Sequence, residues 1–289
     1  MITDVDGRAA YAYTGGVGWA GAAAAGAAAG AAAGASTDAG AAAPCIVFVH
    51  GALHDHSVWG LLARWHAHHG RRVLAVDLPG HGRSVGPALP SIEAAADWVL
   101  ALLDAAGVAR AHLVGHSMGS LIALEAAARA PARVDSLSLV GTAYPMKVSA
   151  ALLGLARDQP LDAIDRVNAF SHSTLAAKPS FPGPGTWLHG ANRALMRRVQ
   201  AGYAATGNLF EHDFRMCDAY AGGDAAATAV RAAGVRARLF VGRRDQMTPP
   251  KASAGLATAL GAEVVSLDAG HALMQEAPEA LGRAVAAWL

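Results

Sequence analysis

The 289-residue chain has only two cysteines, Cys45 and Cys217, so it can close at most one disulfide and has no pair at the spacing of a metal knuckle. Two reduced core thiols in a cytoplasmic protein are the expectation. Aromatic residues are scarce at 6%, while hydrophobic residues reach 53%, much of it alanine, which predicts close-packed helices around a sheet. Neither sign of charge dominates, and a formal net charge of +1 gives no electrostatic grounds for nucleic acid or an anionic membrane as partner. The opening residues, MITDVDGRAA, lack the basic start and apolar run of a secretory signal, and no long Leu/Ile/Val/Phe-rich stretch is present to span a bilayer. At this length a single core with an inserted subdomain is expected.

The most informative stretch is residues 112–130, HLVGHSMGSLIALEAAARA, where a short branched run meets a helical pattern at Gly115-His116-Ser117-Met118-Gly119. A serine on so tight a strand-to-helix turn takes a strained backbone and tolerates only small neighbours, hence a glycine two positions away on each side. The helix after it aims its unpaired N–H groups at the same spot, where an oxyanion would be stabilised.

Residues 8–14 alternate as an edge strand, with residues 45–49 expected as their partner. Between them, residues 19–43 are almost wholly alanine and glycine. Repeated glycine weakens a helix and nothing large anchors a face, which predicts a disordered, functionally silent insertion. Residues 45–50, CIVFVH, read as a central parallel strand ending in His50-Gly51-Ala52-Leu53. Residues 57–69 read as an amphipathic helix with Trp59, Leu62 and Trp65 on its apolar side. His66, His68 and His69 then fall on the polar face, with no carboxylate or cysteine set that would make a metal site; His54 and His56 sit near the pocket mouth without an assigned role. Residues 73–78 form a buried strand whose Asp77 is expected to bond backbone N–H groups of the next turn. Residues 91–107 form a covering helix started by Ser91, and residues 134–141 a further strand. Alternating strands and helices predict a parallel sheet with right-handed crossovers.

From about residue 144 to 223 only helical and loop signals occur, at 148–156, 161–170, 187–199 and 209–220. Such a block beyond a strand's carboxyl end predicts a lid. Large side chains gather there, and Met146, Trp187 and Phe210 are the candidate pocket residues. Strand signals return at 238–242 and 263–267. Asp245 comes just after the first of these strands and His271 just after the second, with a closing helix at 279–289.

A serine hydroxyl needs an imidazole to take its proton, and the imidazole needs a carboxylate to fix its tautomer. Ser117, Asp245 and His271 supply these in an order and setting that resemble the α/β-hydrolase superfamily. The resemblance runs from about residue 45 to 289 and rests on HGALHDHSVW, DLPGHGRS, GHSMG, GRRDQMTPP and DAGHALMQEAP. It implies a mostly parallel, doubly wound sheet in two parts, 1–143 and 224–289, with a helical cap at 144–223. Ser117 would be nucleophile, Asp245 acid and His271 base, with the backbone N–H groups of Ala52 and Met118 as oxyanion donors. Asp268 competes for the acid role but lies only three residues before the histidine. One departure is Gly119-Ser120, where many relatives carry two glycines. The implied reaction is hydrolysis of a small to medium apolar carboxylic ester through an acyl-enzyme, with no cofactor or metal. A carbon-carbon bond hydrolase, a thioesterase, a perhydrolase and a non-catalytic ligand receptor on this fold are the alternatives.

Overall fold

The computed structural model describes residues 1–16, 19, 45–173 and 188–289. Eight strands form one sheet: β1 (Ile2–Val5), β2 (Arg8–Gly15), β3 (Cys45–Val49), β4 (Arg72–Val76), β5 (Ala111–His116), β6 (Val134–Val140), β7 (Arg236–Gly242) and β8 (Glu263–Leu267). Their order across the sheet is β1-β2-β4-β3-β5-β6-β7-β8. Pairing is antiparallel from β1 to β2 and from β2 to β4, and parallel everywhere beyond.

Two expectations for the amino-terminal strands are corrected. Residues 8–14 do form a strand, but it pairs with β1 and β4 and not with β3, and it is not the edge. The short polar segment Ile2–Val5 takes the edge, and β3, apolar along its whole length, is enclosed by parallel neighbours on both sides. Most of the Ala/Gly-rich segment lies outside the described residues. Trp19 is the exception; its indole N–H donates to the Gly15 carbonyl at 2.9 Å and its ring lies under the Arg72 guanidinium at 4.4 Å.

The inner parallel strands, β3 to β6, bury both faces. Along β3, Val47 and Val49 enter one apolar core and Ile46 and Phe48 the other. The first core is closed by α2 (Ile92–Ala105), α3 (Met118–Arg129), α8 (Gly223–Ala232) and α9 (Ala254–Leu260). The second is closed by α1 (Gly60–His68), the short α10 (Leu273–Glu276) and α11 (Pro278–Ala286). Ser91 caps α2, accepting from the Ala94 N–H at 3.2 Å as expected.

On α1 the expected face is rotated. Leu62, Ala63 and His66 are buried behind Trp59, a spacing that traces one helical stripe, whereas Trp65 stands 37% exposed and stacks on His69 at 3.9 Å. His66 therefore faces the core, near Phe48, and not the solvent. An imidazole is small enough to fill the space beside the sheet that an indole would overfill.

After β6 come four helices: α4 (Ala150–Asp158), α5 (Pro160–Ser171), α6 (Leu188–Tyr203) and α7 (Leu209–Ala219). They pack around their own apolar core, which includes Ala156, Ile164, Met196, Val199 and Phe210. No helix among the described residues is long and apolar enough to cross a membrane.

The strand order places the site. From β3 the chain steps to β4 on one side and then crosses to β5 on the other, so the loops after β3 and β5 diverge and leave a crevice at the strands' carboxyl ends. The turn at 50–53 and Ser117 flank that crevice.

Candidate active site

Ser117 sits between β5 and α3 with φ 51° and ψ −119°, one of three non-glycine residues with positive φ among those described. That strain holds only where the surroundings over-determine it, and the flanking glycines show how. A Cβ on Gly115 would lie 2.1 Å from the Gly119 carbonyl oxygen, and one on Gly119 would lie 2.4 Å from the Val49 carbonyl oxygen. The elbow is thus pressed against β3 and its own helix, with no room for a side chain on either glycine. Ser120, where a second glycine is common, ties the turn from inside: its hydroxyl donates to the Ser117 carbonyl at 2.5 Å and lies 2.8 Å from the Thr142 hydroxyl, whose hydrogen it can accept.

His271 lies just beyond β8, and its Nδ1 is 2.8 Å from Oδ2 of Asp245, which lies just beyond β7. Asp268 is elsewhere, paired with Arg244 at 2.6 Å at the surface. The Asp245 carboxylate is fully engaged. Its Oδ1 accepts the N–H groups of Met247 and Thr248, both at 2.8 Å, and its Oδ2 accepts the Thr248 hydroxyl at 2.7 Å. Burial alone would raise the Asp245 pKa, but the His271 charge and these hydrogen bonds outweigh it and hold the carboxyl below its ordinary value. Thr248, whose hydroxyl also lies 3.0 Å from His271 Nδ1, is a member of the site that the sequence motifs do not single out. A signal exists nonetheless: a hydroxyl three residues after an aspartate on a loop is a frequent turn-closing arrangement.

His116 supports the other side of His271. It is buried, its Nε2–H donates to the His271 carbonyl at 3.0 Å, and the two rings lie 4.7 Å apart. Burial, then the neighbouring His271, keep its pKa well below the usual imidazole range, so it is a neutral donor.

The turn after β3 lies against the elbow: a Cβ on Gly51 would be 3.2 Å from the Ser117 Cβ. Its peptide groups are tied one by one. His50 Nδ1–H donates to the Gly51 carbonyl at 2.8 Å while its Nε2 accepts the Leu78 N–H at 3.1 Å, and His54 Nδ1 lies 2.8 Å from the Ala52 carbonyl. The Leu53 N–H is committed to Asp213 at 2.8 Å, and Ala52 lines the same cavity as Ser117. Met118 opens α3, and its N–H belongs to the first turn, which has no carbonyl partner within the helix.

Ser117 and His271 line one cavity of about 320 Å³. The rest of its wall is largely apolar and comes mostly from residues 146–217, the four helices after β6 and the loop that leads into them, including Val167, Met196 and Phe214. Met146 lines it as expected. Phe210 does not: it is wholly buried in the helices' own core and stacked on Phe214 at 4.6 Å, one helical turn from the wall, so Phe214 takes the place expected of it. Trp187 lies outside the described residues.

Asp77 bonds the turn as the sequence predicts, accepting the His56 N–H at 2.7 Å and the Arg83 N–H at 2.9 Å. With Asp55 and His56 it forms a cluster whose ligand atoms lie within 4.8 Å. Every carboxylate oxygen in it is already used, Asp55 by Ser57 and Arg198. Cys45 and Cys217 are buried and unbridged.

A family model described as the alpha/beta hydrolase fold matches residues 44–278. The chain belongs to that family. Among curated relatives it is similar to the dihydrolipoyllysine-residue acetyltransferase component of the acetoin cleaving system of Pseudomonas putida, 46% identical over 95 residues, 30% of this chain and 25% of that protein. It is also similar to a pimeloyl-(acyl-carrier protein) methyl ester esterase of Chromobacterium violaceum, 46% identical over 102 residues, 34% of this chain and 37% of that one. These matches thus span between a quarter and two-fifths of the relatives' length. Among solved structures, the enol-lactonase of Burkholderia xenovorans superposes with a TM-score of 0.73 at 23% identity over 99% of this chain and 98% of that one, a likeness of fold.

Two buried histidines of the chain make its stability depend on acid. Burial, aided by His81 beside His50 and by Arg71 beside His66, brings each imidazole from 6.5 down to about 4. The unfolded chain takes up these protons first, so stability is full above pH 6.5 and declines as pH falls toward 4. Each histidine is expected to withdraw roughly 2 kcal/mol by pH 5. Urea midpoints at pH 7 and pH 5 check this, and His66→Leu should narrow the gap; equal midpoints in the unmodified protein would contradict it.

Proposed function

We propose that the protein is a serine hydrolase that cleaves a carboxylic ester of small to medium, largely apolar substrates through an acyl-enzyme on Ser117. The observation that carries this reading is the Asp245–His271 pair at 2.8 Å, on loops that open into the same apolar cavity as a strained serine.

In this mechanism Asp245 holds His271 with its Nδ1 protonated and stabilises the cation that forms. The other ring nitrogen takes the Ser117 proton as the hydroxyl attacks the ester carbonyl. The tetrahedral oxyanion is met by the backbone N–H groups of Ala52 and Met118, aided by the amino-terminal end of α3. Collapse returns the proton to the leaving alcohol, and a water activated by His271 then releases the acid. The helices of residues 144–223 act as the lid that supplies the apolar walls. Support comes from the family and from a relative that bears the name of a methyl ester esterase.

The test is release of p-nitrophenol from esters of increasing acyl length. Turnover is expected for short and medium chains, with kcat/KM declining once the acyl group outgrows a cavity of about 320 Å³. No turnover across the series, with Ser117 still labelled by an organophosphonate, would overturn the ester reading in favour of a carbon-carbon bond hydrolase with the same three residues.

A further inference from the structure

Most of the hydrogen bonds on the turn at 50–53 are made by His50 and His54. Another comes from the helices above it. Asp213 of α7 accepts the Leu53 N–H at 2.8 Å and lies 2.9 Å from His81 Nε2 through the same oxygen, Oδ2. Asp213 and Leu53 are fully buried, and His81 is 2% exposed.

Leu53 has φ 55°, in the left-handed region that leucine rarely adopts. Such a backbone persists only where partners enforce it. Here the partners are the Asp213 carboxylate on its N–H and the apolar core of α4–α7, which takes in its side chain.

His81 is the counter-group. Its Nδ1 faces the Pro79 carbonyl at 3.2 Å and its Nε2 faces Asp213, so both ring nitrogens meet acceptors. An imidazolium satisfies both; a neutral ring satisfies one. Burial alone would lower its pKa, but the Asp213 charge, the hydrogen bonds to Asp213 and Pro79 and the nearby Asp77 raise it. The pair therefore places a buried carboxylate oxygen against one particular N–H of the turn. On the same helix, Phe214 and Cys217 line the substrate cavity.

We propose that Asp213, held by His81, is a positioning residue by which the helical layer sets the oxyanion turn, aiming the Ala52 N–H at the reacting carbonyl. The proposal rests on the serine-hydrolase reading for its catalytic consequence, though the tether itself does not. Without the carboxylate, the Leu53 N–H has no acceptor and the left-handed conformation loses its hydrogen-bonded anchor. The adjacent peptide, Gly51–Ala52, then samples orientations in which its N–H no longer meets the developing charge. That loss falls on the transition state and leaves ground-state binding in the cavity largely intact.

The experiment compares Asp213→Leu with Asp213→Asn in the full-length protein. The leucine variant removes the acceptor, whereas the asparagine variant keeps an amide oxygen able to accept the Leu53 N–H. Two readouts are taken: kcat and KM on a p-nitrophenyl ester, and hydrogen exchange of the amides at 51–54. In Asp213→Leu, kcat is expected to fall about a hundredfold with KM within about threefold, the size of losing one oxyanion donor, and exchange at 51–54 to quicken by about tenfold or more. In Asp213→Asn both return to within about fivefold of the unmodified protein. Should the leucine variant not fold, Asp213→Ser, too short to reach Leu53, is read the same way. Unchanged exchange at 51–54 in a folded variant without the acceptor would overturn the tether. A loss confined to KM, or an asparagine variant as impaired as the leucine one, would overturn the positioning role. An unmodified protein that turns over no ester would instead sink the serine-esterase reading, and the exchange readout would still decide the tether.

Discussion

Ser117→Ala is expected to lower kcat for ester hydrolysis by about 10⁴-fold to 10⁶-fold while leaving the thermal midpoint within a few degrees of the unmodified protein. In the proposed mechanism the hydroxyl is the group that forms the acyl bond, so its loss would remove the two-step path and not one contribution among several. What remains is catalysis by the turn at 50–53 and by α3 acting on a water, which accounts for the finite lower limit. Stability should change little because alanine meets the same positive-φ backbone, φ 51°, that serine already occupies, and the hydroxyl borders a cavity and not the core. Steady-state rates measured beside calorimetry check both halves. A loss of less than about tenfold in a folded variant would contradict the nucleophile assignment.

Asp245→Asn is expected to cost about 10⁴-fold in kcat, with the fold retained. The reason is local. Met247 and Thr248 donate two backbone N–H groups to Oδ1 at 2.8 Å each, so the amide oxygen of the variant is drawn to that position. The NH₂ group then replaces Oδ2, 2.8 Å from His271 Nδ1, and donates where the carboxylate accepted. His271 is driven to the tautomer with its proton on Nε2, which cannot take a proton from Ser117. The Thr248 hydroxyl, 2.7 Å from the same oxygen, must also turn away. Steady-state kinetics beside circular dichroism measures the effect; activity within about tenfold of the unmodified protein would show that His271 does not depend on Asp245 for its tautomer.

The elbow is legible in the sequence because its chemistry is local. Gly115, Ser117 and Gly119 are fixed by contacts within one strand-turn-helix unit and the strand beside it, and that pattern survives in the order of residues. Asp245 and His271 are legible for a related reason, since each comes directly after a strand of a sheet whose alternation is plain. Where helical faces or distant pairings decide, the sequence misleads. Trp65 and His66 are adjacent, and only the shape of the space beside Phe48 determines which turns inward. Phe210 and Phe214 lie one turn apart on α7 and both are buried, so the difference between core and cavity wall depends on how α7 sits over the crevice. Adjacency in the chain suggests β3 as the partner of β2, yet the neighbour in space is β4, because the wholly apolar β3 is enclosed by parallel strands.

The Asp213–Leu53 tether has no local signature at all. Its members are 160 residues apart, and an aspartate on an amphipathic helix reads as solvent-facing until α7 is placed. Such a contact connects two units that the sequence presents as separate, a sheet edge and a helical layer. It gives that layer a part in setting the oxyanion turn as well as enclosing the substrate.

The central claim is that an acyl group passes through Ser117. The most direct measurement is rapid acid quench of the protein with excess p-nitrophenyl butyrate, then mass analysis of the peptide that carries Ser117. A butyryl adduct on Ser117, formed with a burst of p-nitrophenol and absent in Ser117→Ala, is the predicted result. An adduct on another residue, or full turnover in Ser117→Ala with no acylated protein, would contradict it.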